Sequence, residues 1–171
     1  MEKTKYFMVE VDKLIPYARN ARTHSEVQIA QIAASIKEFG FLSPVIISKD
    51  NTILCGHGRF YAAQKLGLEK IPCIQEDHLT EAQKRAYILA DNKISQNAGW
   101  DEELLKIEIA DLQGADFDVA LTGFEDYEIT DLFAVEKPTT EKVVKNKEYD
   151  EEVFGDEEFD HECPRCGFKY N

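Results

Sequence analysis

The sequence predicts an α+β protein in which short strands and helices alternate, followed by a helical extension and an acidic tail. Short apolar runs, typical of strands, alternate with segments in which apolar residues recur at helical spacing. Capping residues precede several of these segments, and glycines follow two of them. Beyond Ala134 the chain is highly charged and poor in apolar residues, which is the composition of a linker.

The first element is a short edge strand over residues 7–11, and a polar loop over 17–22 follows it. Ser25 and Gln28 match a capping box, in which Ser25 caps a helix and Gln28 returns the bond. Gly40 then occupies the position of a helix C-terminal glycine. Between them lies one apolar helix face, made of Ile29, Ile32, Ala33, Ile36 and Phe39.

Two strands over residues 44–47 and 52–55 flank a turn at 49–51, which predicts a strand pair. The helix that follows ends at Gly67. Residues 71–74 form another strand, in which Pro72 indicates an edge or strand-start position because proline cannot donate to a sheet.

The rest of the ordered part is predicted to be helical. Thr80 and Gln83 repeat the capping-box pattern, and Asp101 caps a further helix with apolar positions at Leu104, Leu105, Ile107 and Ile109. Residues 117–124 form a hydrophobic connector, and 127–133 form a last short helix. We therefore divide the chain into a core (1–99), a helical extension packed on it (100–134), an acidic linker (135–160) and a Cys-x-x-Cys tail (161–171).

The net charge of −13 is distributed unevenly over the 171 residues. Residues 1–100 carry 11 acidic and 13 basic side chains, whereas residues 101–162 carry 22 acidic and 5 basic ones. This division argues against nonspecific DNA binding by the whole chain, because duplex affinity comes mostly from neutralised phosphates. Only the first hundred residues can face DNA. The acidic part is either a solvated surface or one suited to a basic partner.

No apolar run approaches the roughly 18 residues of a membrane span, and the N-terminal residues lack the apolar centre of a signal peptide. The expected location is therefore the cytoplasm, without a membrane partner. In that compartment the four cysteines are expected to be thiols or metal ligands rather than disulfides.

The most informative segment is the tight turn Gly56-His57-Gly58-Arg59, which joins a buried strand to the start of a helix. The first backbone N–H groups of a helix have no internal partner, and with the helix dipole they attract anions. The glycines permit positive φ and close approach, and Arg59 can add a charge-assisted phosphate contact. The pattern predicts a phosphate cradle. The alternative is a plain tight turn with a solvated arginine.

His57 has two possible roles in this turn. It can donate to a phosphate or act as an acid or base near neutral pH. Alternatively, it is a turn histidine that is hydrogen-bonded to the backbone.

Several motifs, taken together and in order, resemble the N-terminal ParB domain of the ParB/sulfiredoxin fold, over roughly residues 7–133. Residues 14–22 match the entry segment, 31–36 with 40–46 match the first long motif, and 56–63 match a variant of the Gly-Glu-Arg-Arg motif. A weaker match is Ile88-Leu89-Ala90-Asp91-Asn92. Within that group the chain is similar to stand-alone phage- and plasmid-type members and to ParB segments fused to DNA-modification methyltransferases.

This resemblance implies a small mixed sheet with packed helices that binds CTP with a divalent metal. It places the phosphates on Gly56, His57, Gly58 and Arg59, with Arg22 nearby and Asn92 reaching the metal or phosphate. Asp91 and Asn92 also carry the oxygen ligands that Mg²⁺ accepts. From the residues alone, the favoured interpretation of these two is a polar pair near the end of a helix.

The chain departs from the family pattern at His57 and Gly58, which removes one charge of each sign from the cradle. CTP, ATP, another nucleotide or none therefore remain open. Sulfiredoxins have their nucleophilic cysteine where this chain has His57, so sulfinic acid reduction is not expected, and Cys55 is expected to be a small buried residue. Nothing in the sequence suggests a helix-turn-helix region after the core, so reading of a DNA palindrome is not expected.

The terminal pair Cys163 and Cys166, followed by Gly167, matches half of a zinc ribbon. Zinc requires four ligands, and His161 is a third candidate at an unusual spacing. The site is therefore completed by a second copy of the chain, completed by another partner, or vestigial. A redox role is less favoured, because no thioredoxin-like context precedes the pair.

Three functions remain in competition. The first is a nucleotide-dependent, Mg²⁺-requiring module that acts around DNA, closes or dimerises on binding, and hydrolyses its nucleotide slowly if at all. The second is an enzyme, either a nuclease or a phosphotransferase such as a free-serine kinase; a kinase requires a positioned base, for which Glu26 and Glu38 are the candidates. The third is an acidic adaptor that recruits a DNA methyltransferase or a phage packaging protein.

Overall fold

The computed structural model describes residues 5–134 and the backbone of residues 161–162 and 169–170. The chain divides into two compact units, Met1–Ala134 and Val135–Asn171. The first unit contains the sheet, five α-helices and the predicted cradle.

The sheet has four strands, named β1 (Lys5–Glu10), β2 (Val45–Ser48), β3 (Ile53–Cys55) and β4 (Lys70–Glu76), in the order β1-β4-β2-β3. β1 pairs with β4 in antiparallel fashion, β4 with β2 in parallel, and β2 with β3 in antiparallel fashion. The sheet is therefore mixed, as predicted. Asn51, with φ of 64°, closes the short turn between β2 and β3.

The helices are α1 (Glu26–Phe39), α2 (His57–Leu66), α3 (Glu81–Ser95), α4 (Glu102–Gly114) and α5 (Asp126–Phe133). Two 3₁₀ helices cover Val11–Lys13 and Val119–Thr122. The element types and most boundaries agree with the sequence prediction.

Local capping explains where the helices begin. The Ser25 side chain accepts from the Gln28 N–H, Thr80 and Gln83 form a complete capping box, and Asp101 accepts from two N–H groups at the start of α4. The capping box predicted for α1 is only half formed. The Gln28 amide oxygen bonds the His24 ring at 2.9 Å, because His24 offers a side-chain partner one turn back along the chain.

Of the two positions predicted for Pro72, the edge strand was wrong, because β4 lies in the middle of the sheet. Pro72 does lie near the start of the strand, as its third residue. β2 begins at Val45, which is opposite Cys73, so Pro72 has a strand neighbour only on the β1 side, where it faces Met8. The proline therefore costs no ladder bond toward β2.

The core lies between the sheet and α2, and α1 packs against α2. Its fully buried residues include Val45, Ile47, Ile53, Ile71 and Cys73 from three of the strands. Phe60 and Ala63 of α2 pack against them. α3 contacts β3 and buries Ile88. These contacts bring together the end of β3, the start of α2 and the last turns of α3, and the predicted cradle lies at this point.

The extension consists of α4, the 3₁₀ helix Val119–Thr122 and α5, with Ile109 and Val119 buried. It contacts α1 through the 3₁₀ helix, and Phe39 stacks on Phe117 with ring centroids 6.0 Å apart. Within the residues that the structure describes, no helix is both long enough and apolar enough to cross a bilayer.

In the second unit, two short strands, β5 (His161–Glu162) and β6 (Lys169–Tyr170), pair in antiparallel fashion. Cys163 and Cys166 lie outside the described residues, as does the predicted linker 135–160. The zinc site with His161 and the division into four segments stay predictions.

Candidate functional site

The turn between β3 and α2 leaves a group of backbone donors free. β3 ends at Cys55, and Gly56 adopts a left-handed conformation, with φ of 95°, as the N-cap of α2. Gly56 has no side chain to cap the helix, and within the described residues no acceptor bonds the N–H groups of His57, Gly58 or Arg59. These N–H groups and the helix dipole favour an anion at this point.

The Arg59 side chain folds back over Gly56. A Cβ atom at Gly56 would lie 2.8 Å from Arg59 Nη2, so only glycine leaves room for this arrangement. Nη2 donates to the Pro44 carbonyl at 3.2 Å, whereas Nε is buried without a hydrogen-bond partner. No carboxylate of the described residues forms an ion pair with Arg59. An unpaired guanidinium with an unused buried donor is well placed to bind an acidic group.

Arg22 reaches the same cavity from the loop before α1. The Asn20 side chain holds this loop, since it accepts from the Arg22 N–H and donates to the Arg22 carbonyl, both at 3.2 Å. The cavity has a volume of about 220 Å³. It brings together all the residues predicted for the phosphate and the magnesium ion, namely Arg22, Gly56, His57, Gly58, Arg59, Asp91 and Asn92.

His57 is buried, with 4% of its surface exposed, and its Nε2 accepts from the Tyr17 N–H at 3.2 Å. Burial, together with the smaller effect of the nearby His24, lowers the pKa of His57 to about 4. The ring is therefore neutral at pH 7 and carries its proton on Nδ1. Of the two roles predicted for His57, this geometry favours the histidine that is hydrogen-bonded to the backbone.

Gly58 is buried against α1. A Cβ atom here would lie 2.9 Å from Ile32 Cδ1 and 3.1 Å from His24 Cε1. The second glycine of the turn thus allows α1 and α2 to approach closely, which places His24 and Ile32 on one wall of the cavity.

Asp91 and Asn92, near the end of α3, form the opposite wall. The Cys55 thiol donates to Asp91 Oδ2 at 3.0 Å, and Asn92 Nδ2 donates to the Ile88 carbonyl at 2.7 Å. Burial and the neighbouring Asp91 raise the pKa of Cys55 to about 11, so the residue remains a thiol at neutral pH. Asn92 Oδ1 and Asp91 Oδ1 remain available as oxygen ligands.

Three polar residues that line the cavity were not predicted as site residues from the sequence. They are Asn20, His24 and Ser95. Of the loop before α1, only Arg22 was predicted. The signal at Asn20 was its position two residues before Arg22, since asparagine side chains commonly bond the backbone two residues on. His24 and Ser95 offered no such local signal.

A larger groove of about 600 Å³ adjoins the cavity, and Arg59 and Ile32 line both. Its walls are one face of α1, from Gln28 to Phe39, the loop of residues 40–43 and residues 121–123 of the extension. Phe39 and Phe41 give it an aromatic side. A small cavity lined by charged and polar side chains thus lies beside a larger groove with an aromatic side.

Comparison with known proteins agrees with this architecture. A model of the ParB N-terminal domain matches residues 1–93. The chain belongs to the ParB N-terminal domain family. A second model, of the ParB-methyltransferase HTH domain, matches residues 103–165. The expectation that no helix-turn-helix region follows the core was therefore wrong. The matched segment is acidic, so it lacks the basic composition by which such a region is usually recognised.

This chain is 45% identical over 84 residues to one relative, the ParB-like nuclease domain-containing protein YnaK of Escherichia coli strain K12. The match covers 49% of this chain and 97% of YnaK. It is 29% identical over 100 residues to the probable chromosome-partitioning protein ParB of Campylobacter jejuni, where the match covers 56% of this chain but only 36% of the relative.

Among solved structures, the C-terminally truncated chromosome-partitioning protein ParB from Caulobacter crescentus, complexed with CTP-gamma-S, superposes with a TM-score of 0.62 at 19% identity. The superposition covers 75% of the ParB-like chain and 76% of that structure. This likeness confirms the predicted α+β fold.

Proposed function

We propose that this ParB-like chain is a nucleotide-binding module that acts in a DNA-associated process of a phage, a plasmid or a DNA-modification system. The observation that carries the proposal is the group of three unbonded N–H donors at the start of α2, flanked by Arg22 and Arg59. Neither arginine forms an ion pair with another described residue. Such a concentration of unused donors and positive charge suits the phosphates of a nucleotide.

In this proposal the nucleobase occupies the larger groove that adjoins the cradle. Arg59 lines both cavities, so a nucleotide can extend from the cradle past the guanidinium to Phe39 and Phe41. CTP is the first candidate because the superposed Caulobacter protein is complexed with CTP-gamma-S. ATP is the alternative.

A magnesium ion fits the same site. Asn92 Oδ1 and Asp91 offer hard oxygen atoms at the edge of the cradle, and Asn92 is oriented by its bond to the Ile88 carbonyl. Mg²⁺ commonly combines one or two protein oxygens with phosphate oxygens and waters. The ion would offset the charge of the phosphates. No group of three or more acidic, His or Cys ligands occurs among the described residues, so the ion is expected to bind with the nucleotide.

Isothermal titration calorimetry with CTP, ATP and GTP, each with and without Mg²⁺, tests the proposal. We expect one triphosphate to bind best and its affinity to fall when Mg²⁺ is removed. If none of the three binds, the proposal is wrong.

The Arg59→Ala variant tests the cradle itself. We expect it to lose about 2 kcal/mol or more of nucleotide binding free energy, roughly a thirtyfold weaker Kd, because a charge-assisted bond is removed. Arg85→Ala is the matched control, since Arg85 is an exposed arginine of α3 that does not line the cradle. Equal nucleotide affinity in the two variants would contradict the assignment.

The match to the ParB-methyltransferase HTH domain favours a second candidate function, that of an adaptor that brings a DNA methyltransferase or another phage protein to its site. Co-purification of the chain with a co-expressed methyltransferase tests this role. If the preferred nucleotide releases the methyltransferase, nucleotide binding regulates the adaptor role. If the nucleotide has no effect on the association, the two functions are independent.

An enzymatic role has less support. Among the described residues that line the cradle, Asp91 is the only carboxylate, and the Cys55 thiol bonds it. A nuclease needs clustered carboxylates for its metals. We therefore expect at most slow hydrolysis of the bound triphosphate, measured as released phosphate in the same nucleotide series.

A further inference from the structure

The extension carries an unusual charge for a segment that matches a helix-turn-helix model. Residues 101–134 hold 11 acidic side chains and one basic side chain, Lys106. Proteins that bind duplex DNA derive most of their affinity from lysine and arginine side chains that neutralise phosphates. A surface with this charge repels a DNA backbone that comes within about 8 Å, the distance over which exposed charges interact at physiological salt.

The same region exposes large apolar side chains on the outer face of α4. Leu104 and Ile107 are 61% and 56% exposed, whereas Ile109 on the inner face is 2% exposed. Trp100, just before α4, is 71% exposed even though its ring contacts Phe124 with centroids 5.4 Å apart. Leu104 and Ile107 share one face of α4, because they lie three residues apart, and Trp100 lies just ahead of the N-cap Asp101. We call Trp100, Leu104 and Ile107 the apolar row.

Acidic residues border this row on the same helix. Glu103 and Asp111 lie one turn before and after Ile107, and Glu108 lies one turn after Leu104, all of them exposed. No ion pair joins any of these three carboxylates to another described residue. Apolar side chains bordered by unpaired carboxylates are complementary to a segment with apolar residues on one side and lysine or arginine around them.

We propose that the row Trp100, Leu104 and Ile107, with its bordering carboxylates, is a docking surface for a basic amphipathic helix of a partner protein. The partner is a protein rather than DNA, because the acidic charge of the extension attracts a basic protein segment and repels DNA. The inference does not depend on nucleotide in the cradle, since none of these residues lines that cavity.

Fluorescence anisotropy on the full chain tests the surface. The probe is a labelled helical peptide of about 18 residues with leucine on one face and lysine on the other, and its control is a peptide of the same composition in scrambled order. We expect the amphipathic peptide to bind at near-physiological salt and the scrambled peptide to bind at least about tenfold more weakly, because only the first presents an apolar face.

The double variant Leu104→Ser/Ile107→Ser is expected to weaken binding of the amphipathic peptide by at least about tenfold. Val27→Ser is the matched control, because Val27 is also an exposed apolar residue, 65% exposed, but on α1. Circular dichroism checks that the double variant is folded. A second variant replaces Glu108 with Gln and Asp111 with Asn. Because these side chains are neutral, it should reduce the salt dependence of peptide binding.

Three results would overturn the proposal. The first is equal binding of the ordered and scrambled peptides, which would show attraction by charge alone. The second is unchanged peptide binding by Leu104→Ser/Ile107→Ser. The third is binding of a labelled duplex DNA that this double variant abolishes, which would assign the surface to DNA.

Discussion

Gly56 and Arg59 illustrate how single residues set the properties of the cradle. The positive φ of Gly56 turns the chain from β3 into α2, and its missing side chain leaves room for the Arg59 guanidinium. The guanidinium in turn lies beside the free N–H groups with its Nε unsatisfied. Both residues were predicted from the sequence, because a strand, a Gly-x-Gly turn and a helix form a local pattern.

His57 makes the stability of the protein depend on pH. Its pKa is lowered from 6.5 to about 4 in the folded state, so between these values the unfolded chain binds a proton that the folded protein does not. Stability is therefore lost as the pH falls through this range, by up to about 3 kcal/mol. Urea denaturation at a series of pH values from 7 to 4 measures the effect.

The control for this prediction is a variant that cannot titrate at position 57. His57→Gln keeps an acceptor for the Tyr17 N–H, so we expect a shallower fall in stability between pH 7 and pH 4. If His57→Gln and the wild type show the same pH dependence, His57 is not the titrating group.

Two of the three missed residues share one property. Asn20 and His24 belong to a segment that lacks helical or strand periodicity, so sequence patterns assign it only as a loop. His24 enters the site because Gly58 lets α2 approach α1. Nothing local to His24 encodes that approach, and a sequence alone does not reveal it.

At the scale of elements, helix starts were the easiest feature to predict. The caps Ser25, Thr80 and Asp101 each bond an N–H group within three residues, so their effect is local. Exposure along α4 was harder. Leu104 and Ile107 are exposed and Ile109 is buried, because the outer face of this helix has no neighbour among the described elements that covers it.

Close packing between α1 and α2 can be tested at Gly58. The Gly58→Ala variant should lose about 1–3 kcal/mol of unfolding free energy, because the new methyl group would lie 2.9 Å from Ile32 Cδ1. Combining it with Ile32→Val removes that carbon. The double variant should therefore lose less stability in urea denaturation than the two single variants added together.

Gly114→Ala serves as the control for this experiment. Nothing lies within 4 Å of a Cβ atom at Gly114, which ends α4. Alanine there should leave the stability unchanged or raise it slightly, since it restricts the unfolded chain. Additive losses in Gly58→Ala/Ile32→Val would mean that Ile32 does not limit the approach of the two helices.

For the whole molecule, the structure separates a nearly neutral core from an acidic extension. The cradle is lined entirely by residues between positions 20 and 95, whereas the acidic side chains are concentrated after position 100. The proposed phosphate cradle and the acidic surface thus lie on different parts of the chain. This division supports separate roles for the two parts, one toward nucleotide and one toward a basic partner.

A shortened chain tests that division. Residues 1–134 correspond to the first compact unit and contain every described residue of the cradle. We expect this shortened chain to bind the preferred nucleotide with a Kd within about twofold of the full chain, because distant, independent sites act additively. Calorimetry on both chains measures it, and a much weaker affinity would place residues 135–171 in the nucleotide site.

The amino-acid sequence by itself determined the order and type of the elements, the glycine turn that we propose as the phosphate cradle, and the family. These depend on caps, turn residues and apolar spacing, which act within a few residues. Only the tertiary structure decided the strand order that places Pro72 in a central strand, the meeting of Arg22 with Asp91, and the inward, neutral state of His57. Those outcomes arise from contacts between residues that are distant along the chain, which local patterns do not encode.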